Sequence, residues 1–417
     1  LGATPNPRLS REDEALREVA VEFGRERTFA SSRVGVFFGE PGKTVADPYF
    51  GGEGPERAGC TFCGACMVGC RHNAKNTLLK NYLHFALKKG ARIFALSTVS
   101  RIAERATGGF DLEVRRSGWG LGSERVRARR LVLSAGVLGT MRLLLEPRNE
   151  LSRLPARLGQ GVLTNSEVIV GAVAASAGAA DRSEGLALSS GFWPEPQTHV
   201  EIVRYPAGSD VISLLAVRKA GEGAPATRFM QLLALWFLRP IESLRLELPF
   251  GWARRSTILL GMQTVDARAR LTVRSVLGWA RLSCGLEPGA KPPPLELPIV
   301  SKVLRRFCEK TGSIAHEAVG ASLLGISTTA HILGGASMGL DPEQGATAPR
   351  ARLFGYEDLW VVDGSLVPAN LGVNPSLTIT ALAEHAMSSI PAREDDPTFS
   401  SSSSSGASSR PPAIPGR

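Results

Sequence analysis

A histidine followed by a glycine-rich loop, His331-Ile332-Leu333-Gly334-Gly335-Ala336-Ser337-Met338-Gly339, puts an acid/base group beside backbone that can turn sharply. Further along, Asn374-Pro375 opens a segment whose apolar residues Ile379, Leu382, Ala383, Ala386, Met387 and Ile390 recur at helical spacing. His331 and Asn374 can then flank one reacting atom, the first moving a proton and the second donating a hydrogen bond. Read singly, Asn374 is a helix cap and His331 a satisfied core histidine. The ordered array is what points to chemistry.

Two further sites carry reactive side chains. The run Thr198-His199-Val200-Glu201-Ile202-Val203-Arg204 alternates like a strand, with Glu201 on one face. The plain reading is a surface glutamate paired with Arg204. Cys60, Cys63, Cys66 and Cys70 follow the C-x2-C-x2-C-x3-C spacing of a bacterial iron–sulfur run. Against that, the fourth cysteine is followed by Arg71 rather than Pro, and there is no second run for a partner cluster. An iron–sulfur or zinc site and a small-residue loop with packed or paired thiols both stay open.

The positioning elements can be read around these residues. Leu359-Trp360-Val361-Val362 is an apolar run of strand length stopped by Asp363-Gly364-Ser365, so its end delivers residues to the carboxyl edge of a sheet, where cofactors bind. A helix starting with Asn374 as cap and Pro375 at its first position aims its positive end at the same place and favours an anion there. Leu131-Val132-Leu133-Ser134-Ala135-Gly136 reads as strand, turn and helix. Earlier, the spacing predicts a helix from Ser10, a helix over 76–89, a strand over 92–101, and a hairpin from 110–114 and 124–130 around Gly118-Trp119-Gly120-Leu121-Gly122. Residues 37–55, rich in Gly and Pro, read as an ordered loop packed on its aromatics, in lid fashion. Residues 229–238, Phe-Met-Gln-Leu-Leu-Ala-Leu-Trp-Phe-Leu, are too short to span a bilayer and read as a core helix, with a sterol-pocket wall or membrane contact as alternatives. The serine-rich tail from Asp395 reads as disordered.

The joint pattern resembles the glucose-methanol-choline (GMC) flavin oxidoreductases, and within them the cholesterol oxidase-like branch. The match is carried by His331…Gly334-Gly335, by Val362-Asp363-Gly364-Ser365, and by Gly372-Val373-Asn374-Pro375-Ser376-Leu377-Thr378-Ile379. It extends to Glu201-Ile202 with Pro206-Ala207-Gly208, and to the cysteine loop running into Ala74-Lys75-Asn76-Thr77-Leu78. The resemblance implies FAD as cofactor, contacted by Val99, Ala135, Gly136, Asp363, Gly364, Asn374, Pro375 and Thr378. It also implies oxidation of a secondary alcohol, in the manner of a 3β-hydroxysterol, with hydride passing to the flavin. His331 would then handle the hydroxyl proton, Asn374 would hydrogen-bond substrate or flavin, and Glu201 would shuttle a ring proton during isomerisation. A carboxylate in an apolar cavity suits that last task, because burial raises its basicity. Ala336 stands where the branch often has Cys, which touches no catalytic role. In this branch the cysteine loop is not known for metal.

The fold expected is α/β (α+β): an FAD-binding sheet with helices, interrupted by a mostly antiparallel β substrate domain. Residues 1–165 would hold the remainder of the FAD-binding domain with the Cys-rich loop, 166–324 the substrate domain, 325–393 the C-terminal part of the FAD-binding domain, and 394–417 the tail. A chain of 417 residues can bury a sizeable core. Its net charge of +10 suits an anionic cofactor or an acidic membrane surface, but the basic residues are scattered and no nucleic-acid motif accompanies them. No apolar run reaches transmembrane length and no signal-peptide pattern opens the chain, which begins with Leu. Four clustered cysteines favour a reducing compartment. A strand, a Gly-x-Gly-x-x-Gly turn and a helix holding a pyrophosphate occur nowhere in these residues. Without that unit FAD would lose much of its anchoring, and three readings stay open: a fragment or split frame, half of a two-chain enzyme with a separate N-terminal chain, or a cofactor-free remnant that only binds sterol or a partner chain.

Overall fold

The computed structural model describes residues 1–118, 122–176, 178–221, 223–276 and 279–390; the tail over 394–417 and the Trp119–Leu121 tip of the expected hairpin lie outside them. Helices and mostly antiparallel sheets mix, as the α/β (α+β) reading expects. The largest sheet has seven strands in the order Ala216–Arg218, Ser313–Ala318, Val168–Ala174, Ser256–Gln263, Thr198–Val203, Leu188–Glu195, Ala30–Ser31, every neighbouring pair antiparallel.

Alternation along these strands decides what each face does. Val200, Ile202, Leu259, Val168, Val170 and Ala172 point to one side and bury against the helices Arg11–Glu22 and Pro298–Thr311, through Leu16, Val19, Val300, Val303 and Phe307. The first helix begins at Ser10, whose hydroxyl accepts the Asp13 N–H while Asp13 accepts the Ser10 N–H. The fully buried Asp13 also takes the Ser189 and Ser190 hydroxyls and Nη2 of Arg204 at 3.2 Å, so the helix is fastened to two strands of the sheet. Arg204 is thereby accounted for and is not the partner of Glu201. The opposite sheet face carries Val203, Ile258 and Val173 under Leu246 and Trp252, with Leu260 and Ile169 partly buried beside them.

A second core holds the cofactor-side elements. Leu131–Leu133 pairs in parallel with Leu359–Val361, and the helix Gly136–Leu144 packs across them through Val137, Met141 and Leu144. A three-stranded sheet of Ser97–Glu104, Phe110–Arg116 and Ser123–Ala128 lies against the same core through Ile102, Phe110 and Leu112. The strand expected over 92–101 thus starts later, at Ser97.

Two local expectations are corrected. The helix read over 76–89 is broken: a 3-10 turn, Leu78–Lys80, precedes a helix restricted to Tyr82–Lys88. Arg57 takes the Lys80 carbonyl with Nη2 at 2.8 Å and the Asn81 side chain caps the Tyr82 N–H, so the chain restarts there, with Leu78 and Leu79 exposed. The run 229–238 is helical, within Pro225–Leu238, but it is not core, for most of its large apolar side chains face outward. The Gly/Pro-rich loop is packed on aromatics as expected, with Phe37 edge-on to Tyr49 and Phe50 edge-on to Phe85.

Candidate active site

His331, Asn374 and Glu201 lie where the carboxyl edge of the short parallel sheet adjoins the antiparallel one, whereas the four cysteines lie elsewhere. The segment 331–335 is threaded there by backbone pairing of Leu333 with Leu163 in both directions and by the Gly334 N–H on the Gly364 carbonyl at 3.0 Å. Gly334 sits at φ +77°, and a Cβ there would lie 2.0 Å from the Gly161 carbonyl oxygen. Gly334→Ala combines a disfavoured backbone with a backbone clash, so a loss on the order of 2–4 kcal/mol in unfolding free energy is expected by denaturant titration.

His331 carries a partner that no motif announced. Its Nδ1 lies 2.6 Å from Oε1 of Glu167, whose side chain is fully buried. Glu167 also accepts the Thr329 hydroxyl at 2.9 Å and the Ala330 N–H at 2.8 Å. Burial pushes this carboxyl up, but the bonds from His331, Ala330 and Thr329 outweigh it and hold its pKa below the ordinary value. The Glu167 carboxylate therefore accepts from Nδ1–H, and the lone pair of the neutral ring is left on Nε2. Ser166 at φ +48° turns the chain into the Val168–Ala174 strand and so presents Glu167.

Asn374 is not a helix cap, contrary to the sequence reading. Pro375 occupies the cap position in αR geometry without a side-chain bond, and the helix runs Ser376–Met387. The Asn374 amide instead donates to both oxygens of Glu201, each at 3.0 Å. Two other asparagines hold it in place: Asn165 Nδ2 donates to the Val373 carbonyl at 2.7 Å, and Asn370 Nδ2 to the Gln263 and Val265 carbonyls. Glu201 projects from the sheet face shared with Val203 and Ile258, opposite the helices Arg11–Glu22 and Pro298–Thr311, pairs in register with Leu260, and is 3% exposed. Burial pushes its carboxyl up to about 7, with the Asn374 bonds and the nearby His331 pulling against it and Glu167 adding to it. Glu201, Asn374, His331 and Glu167 thus form one cluster, in which a carboxyl that is half protonated near neutrality stands beside a carboxylate-oriented imidazole.

On the cofactor side, Ala135 and Gly136 form an exposed turn at the end of Leu131–Leu133. Thr140 Oγ1 donates to Oδ2 of the buried Asp363 at 2.6 Å and accepts the Ala135 N–H at 3.2 Å, which locks this turn to Asp363-Gly364. The helix start at Pro375, with no side-chain cap, leaves its first N–H groups for an anionic group. Thr378 lies partly exposed in the first turn of that helix, and Val99 sits in the Ser97–Glu104 strand opposite Val114, packed on the same core as Leu133. An exposed turn, a buried carboxylate behind it and an uncapped helix start together fit the flavin end of FAD.

The four cysteines are brought together, lining one small pocket with His72, Lys75 and Gly185, and all are free thiols. Burial pushes the thiols of Cys60 and Cys66 up. Among the described residues no group of three or more His, Cys, Asp or Glu side chains is placed to hold a metal ion.

Comparison with known proteins fixes the class. Models of the GMC oxidoreductase family match at 55–147, the N-terminal type, and at 302–383, the C-terminal type. The chain belongs to the GMC oxidoreductases, a family of FAD-dependent enzymes, and is an oxidoreductase acting on an alcohol. Within that class it is 42% identical over 404 residues to a cholesterol oxidase of Mycobacterium tuberculosis, covering 93% of this chain and 69% of that protein. It is 38% identical to a cholesterol oxidase of Acinetobacter baumannii, covering 94% and 73%. The fold is shared with pyridoxine 4-oxidase from Mesorbium loti at a TM-score of 0.52 and 17% identity, over 92% of this chain and 70% of that one.

Proposed function

We propose that this chain oxidises a sterol-like secondary alcohol and can move a proton between ring carbons of the product. The observation that carries the reading is Glu201: a carboxyl buried on an apolar sheet face, poised near neutrality and held at both oxygens by Asn374. The relatives that are cholesterol oxidases support the same substrate class. Bound FAD supplies the hydride acceptor. His331 takes the hydroxyl proton on Nε2, and Glu167 stabilises the imidazolium that forms. Glu201, in its ionised form, removes a carbon-bound proton next to the new carbonyl and returns it elsewhere on the ring. Asn374 orients that carboxyl. Ala135, Gly136, Asp363, Gly364, Asn374, Pro375, Thr378 and Val99 would hold the FAD.

The pyrophosphate-holding turn is not among these residues, so the assay is run on the full chain with FAD supplied. Cholesterol is compared with a primary straight-chain alcohol, and flavin bleaching is followed with product identity. Sterol-dependent bleaching with formation of a conjugated enone supports the reading. Turnover of the primary alcohol alone would replace the substrate class. Sterol binding without bleaching would mean that the chain only binds, or that a separate dinucleotide-binding chain is required; exposed Phe94, Leu96, Val132 and Leu138 offer apolar surface for one.

Glu167 gives a further test. Glu167→Gln keeps the shape but leaves no carboxylate for Nδ1–H, so kcat is expected to fall about 10–100-fold with KM little changed. The pH at which the kcat profile rises should move in the same variant. An unchanged profile would make Glu167 a packing residue only.

A further inference from the structure

We propose that Cys63 and Cys66 are a peroxide-sensitive dithiol, a covalent modification site that closes to a disulfide and reopens with thiol reductants. The four clustered cysteines are free thiols, yet they differ in access: Cys63 is exposed, Cys66 and Cys70 are half-buried, and Cys60 is buried. They line one cavity of about 10 Å³ together with His72, Lys75 and Gly185. That is the lower limit for a single water, so the thiols stand side by side rather than around a ligand. The proposal does not depend on the sterol reading.

The backbone holds both residues in place. The Gly64 N–H donates to the Gly185 carbonyl at 2.9 Å and the Gly185 N–H to the Phe62 carbonyl at 2.6 Å, which clamps Cys63 from both sides. Gly64, at φ +72°, makes the bend after Cys63, and a Cβ there would lie 2.2 Å from the Ser183 carbonyl oxygen. A turn from Ala65 to Val68, closed at 3.2 Å, then carries Cys66, whose carbonyl takes Lys75 Nζ at 2.7 Å. Cys-x2-Cys is the spacing of oxidoreductase dithiols, which one S–S bond spans. Leu186 packs on Cys60 with Cys66 and Cys70 beside it, and the Ala187 carbonyl accepts the N–H of Arg204 at 2.9 Å, just beyond the strand that carries Glu201. Closing the disulfide therefore acts on the segment that anchors the end of that strand.

Access and charge divide the labour between the two thiols. Hydrogen peroxide reaches the exposed Cys63 first. Burial pushes the Cys66 thiol up, while the Ala187 N–H and the Lys75 ammonium favour its thiolate, so it acts second. The Cys63 thiolate attacks one peroxide oxygen: an S–O bond forms, the O–O bond breaks, and the departing hydroxide takes the thiol proton to give water. The Cys66 thiolate then attacks the Cys63 sulfur: the S–S bond forms, the S–O bond breaks, and a second water leaves. The two thiols lose two electrons and two protons, and one peroxide becomes two waters. Hydrogen peroxide is released wherever a flavin enzyme hands its electrons to dioxygen, so this class of reaction can supply the oxidant.

The test treats the full chain, reduced and then freed of reductant, with hydrogen peroxide. Intact mass is expected to fall by about 2 Da and to be restored by dithiothreitol. Differential alkylation, one reagent before reduction and another after it, should put the second reagent on Cys63 and Cys66 alone once the peptide holding all four cysteines is fragmented. Cys63→Ser, at an exposed position, should keep its thermal midpoint and no longer form the bond. Cys66→Ser should stop at a sulfenic acid on Cys63, which dimedone captures. An unchanged mass, a bond joining other cysteines, oxygen added to the parent without a disulfide, or either variant that still closes one would overturn the proposal. So would stoichiometric zinc or iron in the protein as purified, since the thiols would then be ligands.

Discussion

Replacing His331 by Gln is expected to lower kcat for alcohol oxidation about 10²–10⁴-fold, the range lost when a positioned acid/base group is removed. Flavin binding should be nearly unchanged, because the turn at Ala135-Gly136 and the Thr140–Asp363 bond do not involve His331. The ring is aimed by the Nδ1 bond to Glu167, and an amide at this position has no lone pair of comparable basicity to offer on the substrate side. Single-turnover bleaching under saturating substrate is the measurement. A reduction rate within threefold of the parent would remove His331 from proton transfer altogether.

Glu201→Gln should split the two halves of the reaction. Oxidation of the hydroxyl carbon is expected to persist within about tenfold, while migration of the ring double bond falls about 10³-fold, so the unconjugated ketone accumulates. The same variant has a thermodynamic signature. The folded-state pKa of Glu201 is raised from 4.5 to about 7 by burial. Its contribution to stability is therefore fully present below about pH 4.5 and is lost as the pH rises through about 7, because the folded state must then bury a charge. A gap of that size corresponds to on the order of 3 kcal/mol. Gln has no proton to lose, so the thermal midpoint of the variant relative to the parent should climb between these two pH values and then level off. A difference that stays flat with pH would show Glu201 to be solvated.

These two residues were legible in the sequence for different reasons. His331 and Asn374 stand in a long ordered pattern of turn, strand and helix, and Glu201 alternates with apolar neighbours in a strand, so both local geometry and family resemblance pointed to them. The role of Asn374 was only half legible. An Asn-Pro pair at a helix start reads as a cap, and only a carboxylate 173 positions away claims the amide instead. Glu167 had no signal at all, for Asn165-Ser166-Glu167-Val168 is an ordinary strand entry whose partner comes from a distant loop. The apolar run 229–238 was read as core because composition cannot say which side of a helix finds a partner. Likewise, two segments far from the substrate region in sequence join its sheet, the first helix through the buried Asp13–Arg204 network and Ala30–Ser31 by pairing with Ser190 and Gly191.

The three side-chain ties that define the site bridge very distant parts of the chain: 164 positions for His331–Glu167, 173 for Asn374–Glu201 and 223 for Thr140–Asp363. Each closes a long loop whose entropy cost comes before any local reward. During refolding, helical content and the hairpin of Phe110–Arg116 with Ser123–Ala128 can form from near neighbours, whereas catalytic competence waits for the slowest closures. Turnover should therefore trail far-UV dichroism in a refolding time course, and a newly made chain would stay inert until residues near 374 have emerged.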